Sequence, residues 1–349
     1  MKKAVLFLMM ICIWSCFTAS AESYRALLVG EDYRGQGDRQ LDSTLRDTEA
    51  MKGMLDSMTA TPWQITKLLG PSRQEILKGI QSAFDGSIEE DVCLFFYMGH
   101  GVDLTGDLVC NDGRILELQE LKESLDAYPC KKIVILASCY SGRFIPQSDA
   151  LRKKQSSGKN DSQERVNLET INENIINTFR PRLLLRSSQN TQNRYNILTA
   201  AADGELAYTY NTGSTEVPGF SFFTYALTEG SGYNELKLES TEAMPADSDS
   251  DSFISLQEGY NYCSSRVNTL LKQYTPDQDL QQHIAVWPVN AGEQLWGRSA
   301  KKEDKVTPSP TIPENYSLPQ TGDNSHMELY AVAFVFSLLV LLNSKKNSM

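Results

Sequence analysis

A thiol and an imidazole each stand at the end of an apolar run. Cys139 follows Ile133-Val134-Ile135-Leu136-Ala137-Ser138 and precedes Tyr140-Ser141-Gly142. His100 follows Val92-Cys93-Leu94-Phe95-Phe96-Tyr97-Met98-Gly99 and precedes Gly101. Runs of this kind read as strands buried on both faces. In an open parallel sheet, ligands bind beyond the strand C-termini. Two neighbouring strands would carry both side chains to one edge, the least that a cysteine nucleophile with a histidine acid–base partner requires. Taken alone, Cys139 would more simply be a buried core thiol.

The elements that would position this pair alternate. Tyr24 to Gly30, Gln64 to Leu69, Asp91 to Met98, Lys132 to Ser138 and Tyr195 to Ala201 read as strands. Thr44 to Met58, a segment opened by the capping box Ser72-Arg73-Gln74-Glu75, and Glu117 to Tyr128 read as helices between them. Continuously apolar strands alternating with helices predict an α/β fold, a mostly parallel sheet with helices on both faces. Beyond Cys139, Ser148 to Ser162 is polar and basic and reads as an exposed loop. Val166 to Phe179 and Phe253 to Tyr274 read as helices, Gly219 to Leu227 as the opening of another, and Ile284 to Val289 as a last strand. The chain has 349 residues, 22% charged, with a net charge of −11. Such acidity argues against nucleic acid and anionic membrane surfaces as main partners.

Four segments together resemble the caspase/metacaspase group of cysteine peptidases, over roughly residues 24 to 290. They are Ala26-Leu27-Leu28-Val29-Gly30 with Leu41 to Asp47 behind it; Tyr97-Met98-Gly99-His100-Gly101; Ala137-Ser138-Cys139-Tyr140-Ser141-Gly142; and Asn196 to Ala207 followed by Gly219 to Thr224. The resemblance implies a three-layer caspase-like fold, with Cys139 as nucleophile and His100 as acid–base. It implies an oxyanion hole from the backbone N–H groups of Cys139 and Gly101, and no cofactor for the chemistry itself. A metacaspase S1 pocket holds two acids for Arg or Lys at P1. Asp47 matches one, and Ala137 stands where the other is expected. Asp203 or Glu205 could supply the second charge, with Tyr208 as an aromatic wall. Arg152-Lys153-Lys154 and Lys159 are then candidate self-cleavage sites. An inactive surface scaffold on the same fold, or a transpeptidase using the same acyl-enzyme, are the competing expectations.

Asp247-Ser248-Asp249-Ser250-Asp251-Ser252-Phe253-Ile254-Ser255-Leu256-Gln257-Glu258 fits an EF-hand loop. Its Ca²⁺ ligands would be Asp247, Asp249, Asp251, the Phe253 carbonyl, Ser255 and Glu258. Ser252 replaces the usual glycine, and Ser255 with Glu258 also reads as a capping box.

Both ends read as targeting segments. A basic start, an apolar stretch and Ala19-Ser20-Ala21 predict a signal peptide over residues 1–21. The peptidase domain would span 22–295 and a linker 296–317. The tail, 318–349, begins Leu318-Pro319-Gln320-Thr321-Gly322 and continues with an uncharged apolar run, Leu329 to Leu342, and Lys345-Lys346. That arrangement resembles the sortase sorting signal of Gram-positive surface proteins. It implies cleavage between Thr321 and Gly322, attachment to peptidoglycan by sortase, and membrane contact only through the transient C-terminal segment. The expected location is outside the cell, on the wall. Processing would leave Cys93, Cys110, Cys130, Cys139 and Cys263, an odd number consistent with one free reactive thiol.

Overall fold

The computed structural model describes residues 22–37, 40–41, 43–103, 105–145, 194–210, 219–289 and 291–299. The chain divides into two units, Met1–Ala300 and Lys301–Met349, and all of the second lies outside the described residues. So do the expected signal peptide, the loop expected at Ser148 to Ser162, the helix expected at Val166 to Phe179, and Thr321 and Gly322. Among the described residues, no helix is long and apolar enough to cross a membrane.

Six strands make the central sheet: β1 (Tyr24–Gly30), β2 (Trp63–Leu69), β3 (Val92–Met98), β4 (Lys131–Ala137), β5 (Tyr195–Thr199) and β6 (Ala285–Trp287). Their order is β6-β5-β4-β3-β1-β2. The first five run parallel, as the alternation of strands and helices predicts, and β6 pairs antiparallel with β5. Successive strand side chains point to opposite faces, so each strand feeds two cores. Ala26, Leu28, Leu94, Phe96, Ile133 and Ile135 enter one, under the helices α1 (Thr44–Asp56), α4 (Phe222–Gly230) and α5 (Leu256–Tyr274). Leu27, Val29, Phe95, Tyr97, Val134 and Leu136 enter the other, under α2 (Arg73–Phe84) and α3 (Leu118–Asp126). The result is three layers, a mostly parallel sheet between two sets of helices, as the resemblance implies.

Two expectations are corrected. Phe253–Ser255 is a short strand paired with Gln294–Gly297, and the helix begins only at Leu256. The capping box sets that start: Ser255 Oγ accepts the Glu258 N–H and Glu258 reaches back to the Ser255 N–H. The folded domain also passes the expected boundary at residue 295. Trp296 is fully buried with its indole N–H on Ser231 Oγ, and Arg298 and Ser299 bond to the body of the domain.

Candidate active site

Strand register brings the two reactive residues to one edge. Gly30, Met98 and Ala137 lie level across β1, β3 and β4, so His100 and Cys139 each stand two residues past the same end of the sheet. Beyond β3 the chain passes through Gly99, where a Cβ would lie 2.6 Å from Tyr97 Oη and 2.8 Å from Tyr33 Oη. The His100 N–H donates to Tyr33 Oη at 2.8 Å, and its imidazole stacks on the Tyr33 ring, centroids 4.8 Å apart and planes 29° from parallel. The His100 carbonyl accepts from the Tyr97 hydroxyl and from the Val109 N–H.

Gly101 joins the two loops. A Cβ on it would lie 2.1 Å from the Cys139 carbonyl oxygen, so only glycine permits this approach. Gly101 faces Leu108 across an antiparallel bridge whose bonds run from Val102 N–H to Asp107 and from Val109 N–H to His100. Gly101 therefore commits neither of its own backbone groups to that bridge.

After Cys139 the chain turns sharply. Tyr140 is left-handed, φ 57° and ψ 14°, a costly conformation for a bulky residue. Its N–H donates to the Glu205 carbonyl at 2.7 Å, and Ser141 Oγ accepts the Ala201 N–H. Cys139 itself is half-buried. Its sulfur accepts the Ala207 N–H at 3.4 Å and lies 3.6 Å from the Ala207 carbonyl, to which the thiol donates. Burial pushes the thiol up; the bonds from Ala207 and its own backbone pull it down, and the Asp103 charge pushes it up again. The resting sulfur is thus a thiol held by the segment opposite. Asp103 also takes the Tyr140 hydroxyl, which burial and that bond push up to about 12.

With this fold and these surroundings of His100 and Cys139, the chain can be set beside known domains. The caspase domain profile matches residues 23–327. The chain belongs to the caspase-domain family. Members of this family are cysteine peptidases, hydrolases of proteins or peptides. Among solved structures, the chain is similar to caspase-1 from Spodoptera frugiperda: 13% identity, TM-score 0.48, 80% of this chain and 92% of the other. It is also similar to a protein from Geobacter sulfurreducens: 15% identity, TM-score 0.42, 76% and 92% covered. Among curated proteins none matches.

The residues of this caspase domain expected to meet substrate are placed unequally. Asp47 is corrected: it is fully buried, its Oδ1 accepting the Ser221 N–H at 3.0 Å, and so is not open to a substrate side chain. Against it lies Glu235, also buried and hydrogen-bonded to it, a partner that no sequence pattern points to. Two carboxyls in contact cannot both ionise cheaply. Burial first, and then the Asp47 charge, push Glu235 far above the carboxylate range, so the pair shares a proton. Asp203 is ion-paired with Arg143. Glu205 accepts the His283 N–H at 3.1 Å and meets its Nδ1 at 2.9 Å. Tyr208 is half-buried, its N–H on Gln282 Oε1 at 2.9 Å. Asp203, Glu205 and Tyr208 thus flank Ala207, the residue bracketing the sulfur.

The metal ligands are placed only in part. Carboxylate oxygens of Asp247, Asp249 and Glu258 lie within 4.8 Å of one another. Asp251 is corrected: it accepts the Phe253 N–H and the Gln294 side chain instead. Ser255 is likewise diverted, its hydroxyl serving as the α5 cap. Short polar side chains bond to nearby backbone when it is in reach, which competes with a shared ion. Asp247 accepts the N–H groups of Asp251 and Ser252, and Ser252 adopts φ 70° where the loop pattern wants glycine. All five described cysteines are free, and four are buried.

Proposed function

We propose that this caspase-domain protein is a secreted, wall-anchored cysteine endopeptidase working through Cys139 and His100. The supporting observation is the approach of Gly101 to the Cys139 carbonyl, which sets the histidine loop beside the nucleophile at one sheet edge. The Cys139 proton passes to His100 as sulfur attacks the scissile carbonyl carbon. The N–H groups of Cys139 and Gly101 meet the oxyanion, where each donor supplies about 3 kcal/mol. His100 returns the proton to the leaving amine as the C–N bond breaks. Water, deprotonated by His100, then cleaves the thioester and frees the carboxylic acid and the thiol. Cleavage follows Arg or Lys. Glu205, whose carboxylate is met by the exposed His283 rather than by an arginine, supports that preference better than Asp203.

The resting site is latent. Substrate reaches the sulfur only when Ala207 lets it go, and cutting in the 148–162 loop, directly downstream of the nucleophile, would loosen this face. Oxygen donors from Asp247, Asp249 and Glu258 suit Ca²⁺, which would brace the turn that leads into α5. The tail would be cut after Thr321 by sortase and joined to peptidoglycan.

The test uses the purified protein and its Cys139→Ala variant on peptides with Arg, Lys, Asp or Asn at P1. Cleavage after Arg or Lys that disappears in the variant is expected. No cleavage by a folded protein, with or without Ca²⁺ and after cutting within 148–162, would leave a binding scaffold as the better reading.

A further inference from the structure

We infer that Tyr33 is the positioning residue of His100, doing for this histidine what a third side chain does in a triad. The inference rests on the peptidase reading above. Tyr33 lies three residues past β1, fully buried, with φ 50°. A bulky aromatic in the left-handed region is a steric outlier that persists only where its surroundings fix it. Here they do. A hydroxyl has one hydrogen and two lone pairs. Tyr33 Oη gives its hydrogen to the Val109 carbonyl at 2.7 Å, receives the His100 N–H at 2.8 Å, and meets Tyr97 Oη at 3.2 Å. Burial pushes this hydroxyl well above its ordinary range, so it stays protonated at any working pH.

The bent backbone has a consequence at the ring. It lays the phenol against the imidazole, 4.8 Å between centroids and 29° between planes. One residue thus fixes His100 at two points, through its backbone N–H and through the plane of its ring. The imidazole becomes a cation when it takes the Cys139 proton, and an electron-rich aromatic face favours that cation. Tyr33 therefore acts on the charged state formed during reaction more than on the resting one. Loss of it is expected to fall on kcat with little change in KM.

The experiment compares the wild-type protein with Tyr33→Leu and Tyr33→Phe. Steady-state kinetics are measured on a P1 Arg peptide, and the His100 ring protons are followed by NMR. Tyr33→Leu should lower kcat by roughly a hundredfold, the scale of a misplaced catalytic group, with KM unchanged. Tyr33→Phe should rescue most of that loss while remaining below wild type. The ring current of Tyr33 should shift the His100 ring protons in wild type and in Tyr33→Phe, and the shift should vanish in Tyr33→Leu. Wild-type kcat in Tyr33→Leu, or a loss confined to KM, would overturn the inference. If Tyr33→Leu fails to fold, Tyr33→Phe decides, since a kcat equal to wild type would remove the backbone anchor from the argument. If wild type itself cleaves nothing, the peptidase reading fails separately, and the inference then stands or falls on whether the ring-proton shift depends on Tyr33.

Discussion

At Gly101 the geometry turns on a single hydrogen atom. A methyl there would sit 2.1 Å from the Cys139 carbonyl oxygen, and that neighbour is backbone that cannot swing away. Gly101→Ala should therefore push the histidine loop away from Cys139, lower kcat/KM by about a hundredfold or more, and lower the thermal midpoint through the overpacking. Kinetics beside a melting curve check this. The buried carboxyl pair makes a different residue-scale prediction. Glu235 has a raised folded value, so in the window above about pH 4.5 the native state binds more protons than the unfolded one. Stability then falls as pH rises, because the slope follows protons bound in the unfolded minus the native state. Glu235→Gln removes that proton, and its melting midpoint should vary less between pH 5 and 8 than that of wild type. An identical pH profile in the two would show that Glu235 does not hold the shared proton. The placement of His100 and Cys139 at one sheet edge was legible in the sequence because an apolar run leads up to each. Tyr33 was not, since an aromatic just past a buried strand reads as core. Glu235 was not, since its partner is 188 positions away and contact at that range leaves no local pattern.

Among elements, legibility followed the same logic of range. β1, β3 and β4 declare themselves as unbroken apolar runs, and parallel pairing follows from burial on both faces. The pair Phe253–Ser255 and Gln294–Gly297 did not, because each partner is too short for periodicity and the two are far apart in sequence. What the sequence did contain there was the cap, Ser255 with Glu258, and the structure obeys it in preference to the helical reading of Phe253. The acidic turn before that cap carries the element-scale prediction. If Ca²⁺ binds Asp247, Asp249 and Glu258, saturation at a hundred times Kd should stabilise the fold by about 2.7 kcal/mol. Asp247→Asn with Asp249→Asn should abolish the rise in melting midpoint while leaving the Glu258 cap intact. Melting with Ca²⁺ and with chelator measures it, and equal midpoints in wild type would remove the ion from the account.

Across the whole molecule, three distant segments close over one sulfur atom. Tyr140 is tied to Glu205, Cys139 to Ala207, and Tyr208 to Gln282, which is itself fully buried and donates to the Ala200 carbonyl at 2.8 Å. Gln282 in turn is held by Asn268 on α5 through both of its backbone groups. Cys139 therefore answers to the packing of α5 and of the chain entering β6. Gln282→Ala removes the acceptor of the Tyr208 N–H and the donor to Ala200 without touching His100, Gly101 or Cys139. A net hydrogen bond is worth about 1 kcal/mol, roughly fivefold in an opening equilibrium. The variant should release Ala207 from the sulfur more often, and iodoacetamide should alkylate Cys139 about fivefold faster than in wild type. Equal alkylation rates would mean that the Glu205–Tyr208 segment does not govern access to the thiol, and latency would then have to lie elsewhere in the chain. A faster rate together with higher basal cleavage after Arg would tie latency to this contact.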